Sequence, residues 1–179
     1  MTLNELSRQT FVQYFGGLYE HSAWIVERAF DAGLTLSHND PDLLCKAFQD
    51  VLALASEEEK LGLINAHPDL VGNAAIAGEL TEESTLEQGS AGLNHCSKEE
   101  FSRFTELNSA YKEKFKFPFI MAVREKNRSE ILVAFDARIQ NSADVEFARA
   151  LSEINQIARL RLDVLLKKDP NGRFGYESL

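Results

Sequence analysis

Apolar residues in this chain recur at intervals of three and four, and almost nowhere at intervals of two. That period belongs to helices with one buried face, not to half-buried strands. Near the C-terminus, Val145, Ala148, Leu151, Ile154, Ala158, Leu162 and Leu165 hold one face for about six turns, and Asn141 or Ser142 can cap it. Asp40-Pro41 places an N-cap before a proline at the first helical position, and Leu43, Leu44, Ala47, Phe48, Val51 and Leu52 follow. Ser56-x-x-Glu59 and Ser97-x-x-Glu100 read as capping boxes. The first opens a run with Leu61, Leu63 and Ile64, the second one with Phe101, Phe104, Leu107, Tyr111 and Phe115. Shorter helices are expected around Phe11, Val12 and Phe15, and around Trp24, Ile25 and Ala29, with Gly33 as a C-cap. Ile131, Leu132, Phe135 and Ile139 mark another helix in 129–140. The one strand candidate, Phe117–Val123, contains Pro118, which argues against a central strand. The pattern predicts an all-α fold: a single-domain helical bundle over 1–179.

Composition narrows the function classes. A chain of 179 residues suits one domain, and 44% hydrophobic against 26% charged residues suits a packed core rather than disorder. A net charge of −9, with no dense basic cluster, disfavours nucleic acid and anionic membrane as partners. No apolar run approaches the ~18 residues of a membrane span, and the first residues lack a secretory pattern. Cys45 and Cys96 lie far apart and form neither a disulfide framework nor a C-x-x-C clip, so a reducing, cytoplasmic setting is expected.

One stretch breaks the helical pattern. From His67 to Leu93 the sequence is polar, carries Gly72, Gly78, Gly89 and Gly92, and has little periodicity. A loop of that length in a domain is either functional or disordered, so chemistry is expected here. His67 follows a helix end and precedes Pro68, which holds it out of the α region. An imidazole there suits proton transfer; it also suits neutralising a helix dipole. Ser84-x-x-Glu87-Gln88 reads as a capping box, or as a helix N-terminus presenting polar groups to a ligand. Arg159 and Arg161 fall on opposite edges of the last helix's apolar stripe. Arg159 has Asp163 as an i,i+4 partner, whereas Arg161 lies among Ile157, Ala158 and Leu165 and needs a partner or a pocket. His67, Asp69 and His95 match no metal-site spacing, so no metal is expected. His21 and His38 read as surface residues, and no G-x-S-x-G elbow supports a serine nucleophile.

These blocks together resemble a known family. His67-Pro68-Asp69-Leu70-x-Gly72 resembles the HPDLxG signature of the 2-oxo-4-hydroxy-4-carboxy-5-ureidoimidazoline (OHCU) decarboxylases. Ser84-x-x-Glu87-Gln88 with Ala91-Gly92-Leu93 resembles that family's second block. Asn108-x-x-Tyr111-x-x-Lys114-Phe115-x-Phe117-Pro118-Phe119 resembles its third, and Arg161-Leu162 matches the arginine of its last helix. The resemblance implies an all-α homodimer without a cofactor that decarboxylates OHCU to (S)-allantoin in urate breakdown. It implies His67 as acid/base with Glu87 and Arg161 as catalytic partners. It also implies substrate contacts from Pro68, from Ser84, Thr85, Leu86, Glu87 and Gln88, and from Phe119, Ile120, Met121, Ala122 and Val123. Eukaryotic members often end in a peroxisomal tripeptide, which Glu177-Ser178-Leu179 does not match. Two rival readings remain at this level. One is another cofactor-free lyase or hydrolase acting on a ureido or hydantoin ring. The other is a helical binding module, which would expose an apolar patch around residues 70–93.

Overall fold

The computed structural model describes residues 3–72, 75 and 77–167. Glu177-Ser178-Leu179 lies outside the described residues. Eight α-helices lie among the described residues, with no strand: α1 Arg8–Phe15, α2 Trp24–Asp31, α3 Pro41–Leu54, α4 Glu57–Asn65, α5 Glu82–Ser90, α6 Lys98–Phe115, α7 Arg128–Arg138 and α8 Ala143–Lys167. The chain divides into two units, Met1–Ala66 with Asn155–Leu179, and His67–Ile154.

In the first unit the caps lie where the sequence puts them. Asp40 accepts from the Asp42 and Leu43 amides at 2.8 and 3.2 Å, with Pro41 at the first helical position of α3. Ser56 and Glu59 form a reciprocal capping box at α4. Gly33 follows α2 at φ 96°, a left-handed position that an L side chain resists. The apolar faces meet around Phe11, whose ring centroid lies 4.8 Å from Phe15, 5.2 Å from Phe30 and 6.3 Å from Phe48. Ile25, Val26, Leu44, Leu52, Leu63 and Ile64 are buried with them. Each such side chain contributes roughly 1.5–3 kcal/mol by leaving water.

The second unit is organised around a buried charge. Glu146 is fully buried near the start of α8. Arg138, at the end of α7, donates to it at 2.9 Å, Asn141 donates at 2.7 Å, and the Tyr111 hydroxyl donates from α6. Aromatic rings surround this network: Phe119 stacks on Phe135 at 3.8 Å and meets Tyr111 edge-on at 5.3 Å. Capping boxes at Ser97–Glu100 and Asn127–Glu130 start α6 and α7.

Two expectations need correction. The apolar stripe of α8 has the wrong phase at its N-terminal end. Val145 is 53% exposed and Ala148 is exposed, while Glu146, Ala150, Glu153, Ile154 and Ile157 are buried. Paired glutamates occupy that buried face, and a hydropathy pattern cannot see them. Phe117–Val123, as Pro118 argues, forms no strand, and it lies outside any helix. The stretch 67–93 is not a continuous loop, because α5 lies within it. The inward residues of that helix, Ser84 and Gln88, are polar, so it carries no apolar stripe.

Candidate active site

His67 begins the second unit and is 8% exposed. The turn after it, Asp69–Gly72, is held from two helices. From α5, Gln88 accepts the Val71 amide at 3.1 Å and donates to the Asp69 carbonyl at 3.5 Å. From α6, Asn108 donates to the Leu70 carbonyl at 2.8 Å, and Lys112 pairs with Asp69 at 2.5 Å. Gln88 and Asn108 are both buried. The turn is tight: Val71 has φ 54°, costly for a β-branched residue. A Cβ on Gly72 would stand 2.7 Å from that of Asp69, so glycine is required there.

α5 carries the second block, with a cap three residues earlier than expected. Thr81, not Ser84, is the N-cap, and its hydroxyl accepts the Ser84 amide at 3.3 Å. Ser84 and Gln88 point inward, Glu87 is half-buried, and Thr85 and Leu86 are exposed. Thr85 and Gln88 also line a cavity of about 310 Å³ with Val71, Leu80, Leu93 and Phe101.

Of the third predicted segment, Phe119, Ile120, Ala122 and Val123 are buried, and Met121 is half-buried. The Phe119 ring is committed to the core, so this segment can offer backbone to a ligand but not an aromatic face. Two of its backbone groups are already held: Arg138 donates to the Ile120 carbonyl at 2.6 Å, and Glu153 accepts the Ala122 amide at 2.8 Å.

In the first unit, Arg161 is 6% exposed, as its apolar neighbours required, and the structure supplies a partner that the sequence did not reveal. Glu20, 3% exposed, pairs with it at 2.9 Å, and the Gly17 carbonyl accepts from the same nitrogen at 3.4 Å. Arg159 is more exposed and pairs with Asp163 at 3.4 Å, as its spacing predicts, and with Asp42 at 2.7 Å. Hydropathy could flag Arg161 as needing a partner. Nothing local could name Glu20, far away in the sequence.

Among the described residues no group of three or more His, Cys, Asp or Glu side chains could hold a metal ion. The apolar patch that a binding module needs around 70–93 is absent among the described residues there. Leu70, Val71 and Leu93 are buried, and Leu86 is the exposed large apolar side chain.

A family model described as OHCU decarboxylase matches residues 4–163. The chain belongs to the OHCU decarboxylase family. It is 39% identical over 160 residues to the 2-oxo-4-hydroxy-4-carboxy-5-ureidoimidazoline decarboxylase of Haloferax volcanii, covering 89% of this chain and 91% of that protein. It is 38% identical over 176 residues to the uric acid degradation bifunctional protein of Bacillus sp. strain TB-90, covering 94% of this chain and 32% of that longer protein. A crystal structure of (S)-allantoin synthase aligns with a TM-score of 0.73 at 29% identity, covering 92% of this chain and 54% of that one. Three of the family's signature blocks meet at one turn. Gln88 of the second block and Asn108 of the third build the turn that follows His67 of the first.

Proposed function

We propose that this chain decarboxylates OHCU to (S)-allantoin. The observation that carries the reading is the turn after His67: side chains from two other family blocks hold it, and His67 itself is buried. A site shaped that way holds an acid/base in place before substrate arrives, which is what proton transfer in a rate-limiting step requires.

The substrate's chemistry fits a site without a metal or cofactor. The bond to the carboxylate breaks, and its electron pair forms a C=C bond to the ureido-bearing carbon while the C=N pair moves onto nitrogen, which takes a proton from water. His67 hydrogen-bonds the hydroxyl of the enol so formed and takes its proton as the oxygen becomes a carbonyl and the C=C pair takes a proton on carbon. A proton delivered to one face of the ureido-bearing carbon sets the S configuration. Glu87 orients His67 and the ureido N–H groups. Arg161 acts on an oxygen that gains charge, because clamping the departing carboxylate would stabilise the ground state. Pro68, Ser84–Gln88 and Phe119–Val123 hold the ring. No helix among the described residues is long and apolar enough to cross a membrane. Both cysteines are free, which supports a cytoplasmic setting, and family resemblance supports a homodimer, testable by sedimentation.

The test is to add purified protein to freshly generated OHCU and follow circular dichroism. Uncatalysed decay gives racemic allantoin, so the expected result is faster OHCU loss with a growing dichroic signal. Unchanged decay to racemate would overturn the proposal. Turnover of a different ureido ring, with none of OHCU, would favour the rival lyase or hydrolase.

A further inference from the structure

Phe119–Val123 lies outside any helix and pairs with no strand, so its peptide groups must find partners elsewhere. Two of them are met from α7 and α8. Arg138 takes the Ile120 carbonyl at 2.6 Å, and its guanidinium lies 4.4 Å over the Phe119 ring. Glu153 takes the Ala122 amide at 2.8 Å. The two contacts differ in what else they do. Arg138 also neutralises Glu146 in the core, so its loss would disturb the whole unit. Glu153 is 9% exposed, and its other carboxylate oxygen accepts from Arg149, whose side chain is 56% exposed. That ion pair has one foot in water and contributes little. The specific work of Glu153 is therefore its bond to the Ala122 amide, one residue after Met121, the half-buried residue of the segment.

We infer that Glu153 is a positioning residue: its carboxylate fixes the backbone that receives the substrate ring, without touching the substrate. The inference rests on the OHCU reading given above. A backbone hydrogen bond to substrate needs its peptide group placed to within a fraction of an ångström. A shift of about 1 Å costs on the order of a hundredfold. Releasing the Ala122 amide would let the segment move by such an amount while the core network around Glu146 stays intact.

Four variants separate this from a merely structural role. Glu153→Leu removes the acceptor. Glu153→Asp keeps the charge but draws the acceptor back by one methylene, and it serves if the leucine variant does not fold. Glu153→Gln keeps an oxygen at the same reach, and Arg149→Ala breaks only the ion pair. Expected are a rise in KM for OHCU of about tenfold or more in Glu153→Leu and Glu153→Asp, with kcat changing less. Glu153→Gln and Arg149→Ala should stay within about threefold of the parent protein, as expected when only an exposed ion pair is lost. Hydrogen exchange at the Ala122 amide gives an independent reading: slow in the parent and in Glu153→Gln, fast in Glu153→Leu. A folded Glu153→Leu protein with unchanged KM would overturn the inference, and so would a Glu153→Gln protein as impaired as the leucine variant. If the parent protein does not turn over OHCU, the functional proposal fails, and the substrate role of Glu153 fails with it. The exchange pattern would then show only whether Glu153 fixes the backbone.

Discussion

Burying an arginine beside a glutamate changes what a substitution there can report. Arg161→Ala would remove the cation that pairs with buried Glu20, and breaking such a buried pair typically costs about 3–5 kcal/mol of stability whatever the arginine does chemically. Arg161→Lys keeps a cation for Glu20 but loses the planar fork. The expected outcome is a melting temperature near that of the parent with a kcat/KM lowered at least thirtyfold, the lower end of about 2–5 kcal/mol for a disturbed buried charge. Arg159→Ala, which loses partly exposed pairs with Asp42 and Asp163, should cost under about 1 kcal/mol in either measurement. Equal losses in kcat/KM for the two arginines would contradict the assignment. At this scale the sequence was legible where one residue's needs are set by its own helix. A charge among Ile157, Ala158 and Leu165 had to find a partner. The identity of that partner was not legible, because tertiary contacts carry no periodicity. The same limit hid Glu153 and the buried role of Glu146.

At the scale of elements, helices with apolar faces and side-chain caps could be read almost to their ends, as Asp40-Pro41, Ser56 and Ser97 show. α5 could not. Its inward residues are Ser84 and Gln88, so it shows no hydrophobic period, and the Ser84-x-x-Glu87 pattern points to a cap in the wrong place. Thr81 does the capping, and Thr81→Ala should cost about 1 kcal/mol by thermal denaturation. Ser84→Ala should leave that cap intact. Gln88→Leu is the stronger test of the element's purpose. It removes the Gln88 bonds to the Val71 amide and the Asp69 carbonyl in the turn after His67, where Val71 sits at an unfavourable φ. The expected result is a fall in kcat larger than the loss of stability alone explains, measured at a temperature where the variant is fully folded. Full activity in Gln88→Leu would show that the turn holds its shape without α5. The partners of Phe117–Val123 were hidden for a related reason: they are side chains of α7 and α8, and no local pattern encodes those.

At the scale of the whole molecule, buried and half-buried carboxylates set the response to acid. Burial pushes the Glu146 carboxyl up. Hydrogen bonds from Arg138, Tyr111 and Asn141 more than offset this and leave it below the ordinary 4.5. Glu59, beside the Arg28 guanidinium and the Ser56 amide, is drawn down to about 2. A carboxyl more acidic in the folded than in the unfolded chain stabilises the fold fully above its unfolded pKa, and that stability is lost as pH falls through the folded one. Melting temperature should therefore decline on acidification below about pH 4.5 and continue to fall toward pH 2. The gap between the parent and Glu146→Gln, wide near neutrality, should narrow over the same range. A gap that stays constant would show that the Glu146 network does not titrate with folding. Activity should also survive exhaustive chelation, since the described residues offer no metal cluster. Loss with EDTA and recovery with zinc would contradict that expectation.

The most direct test of the account replaces His67 with asparagine and follows dichroic allantoin formation from fresh OHCU beside a thermal melt of the same sample. An acid/base in a preformed turn predicts a rate lowered by about 10²–10⁴, with a melting temperature close to the parent's. A variant that melts earlier but still makes optically active allantoin at the parent's rate would leave His67 a structural residue and contradict the account.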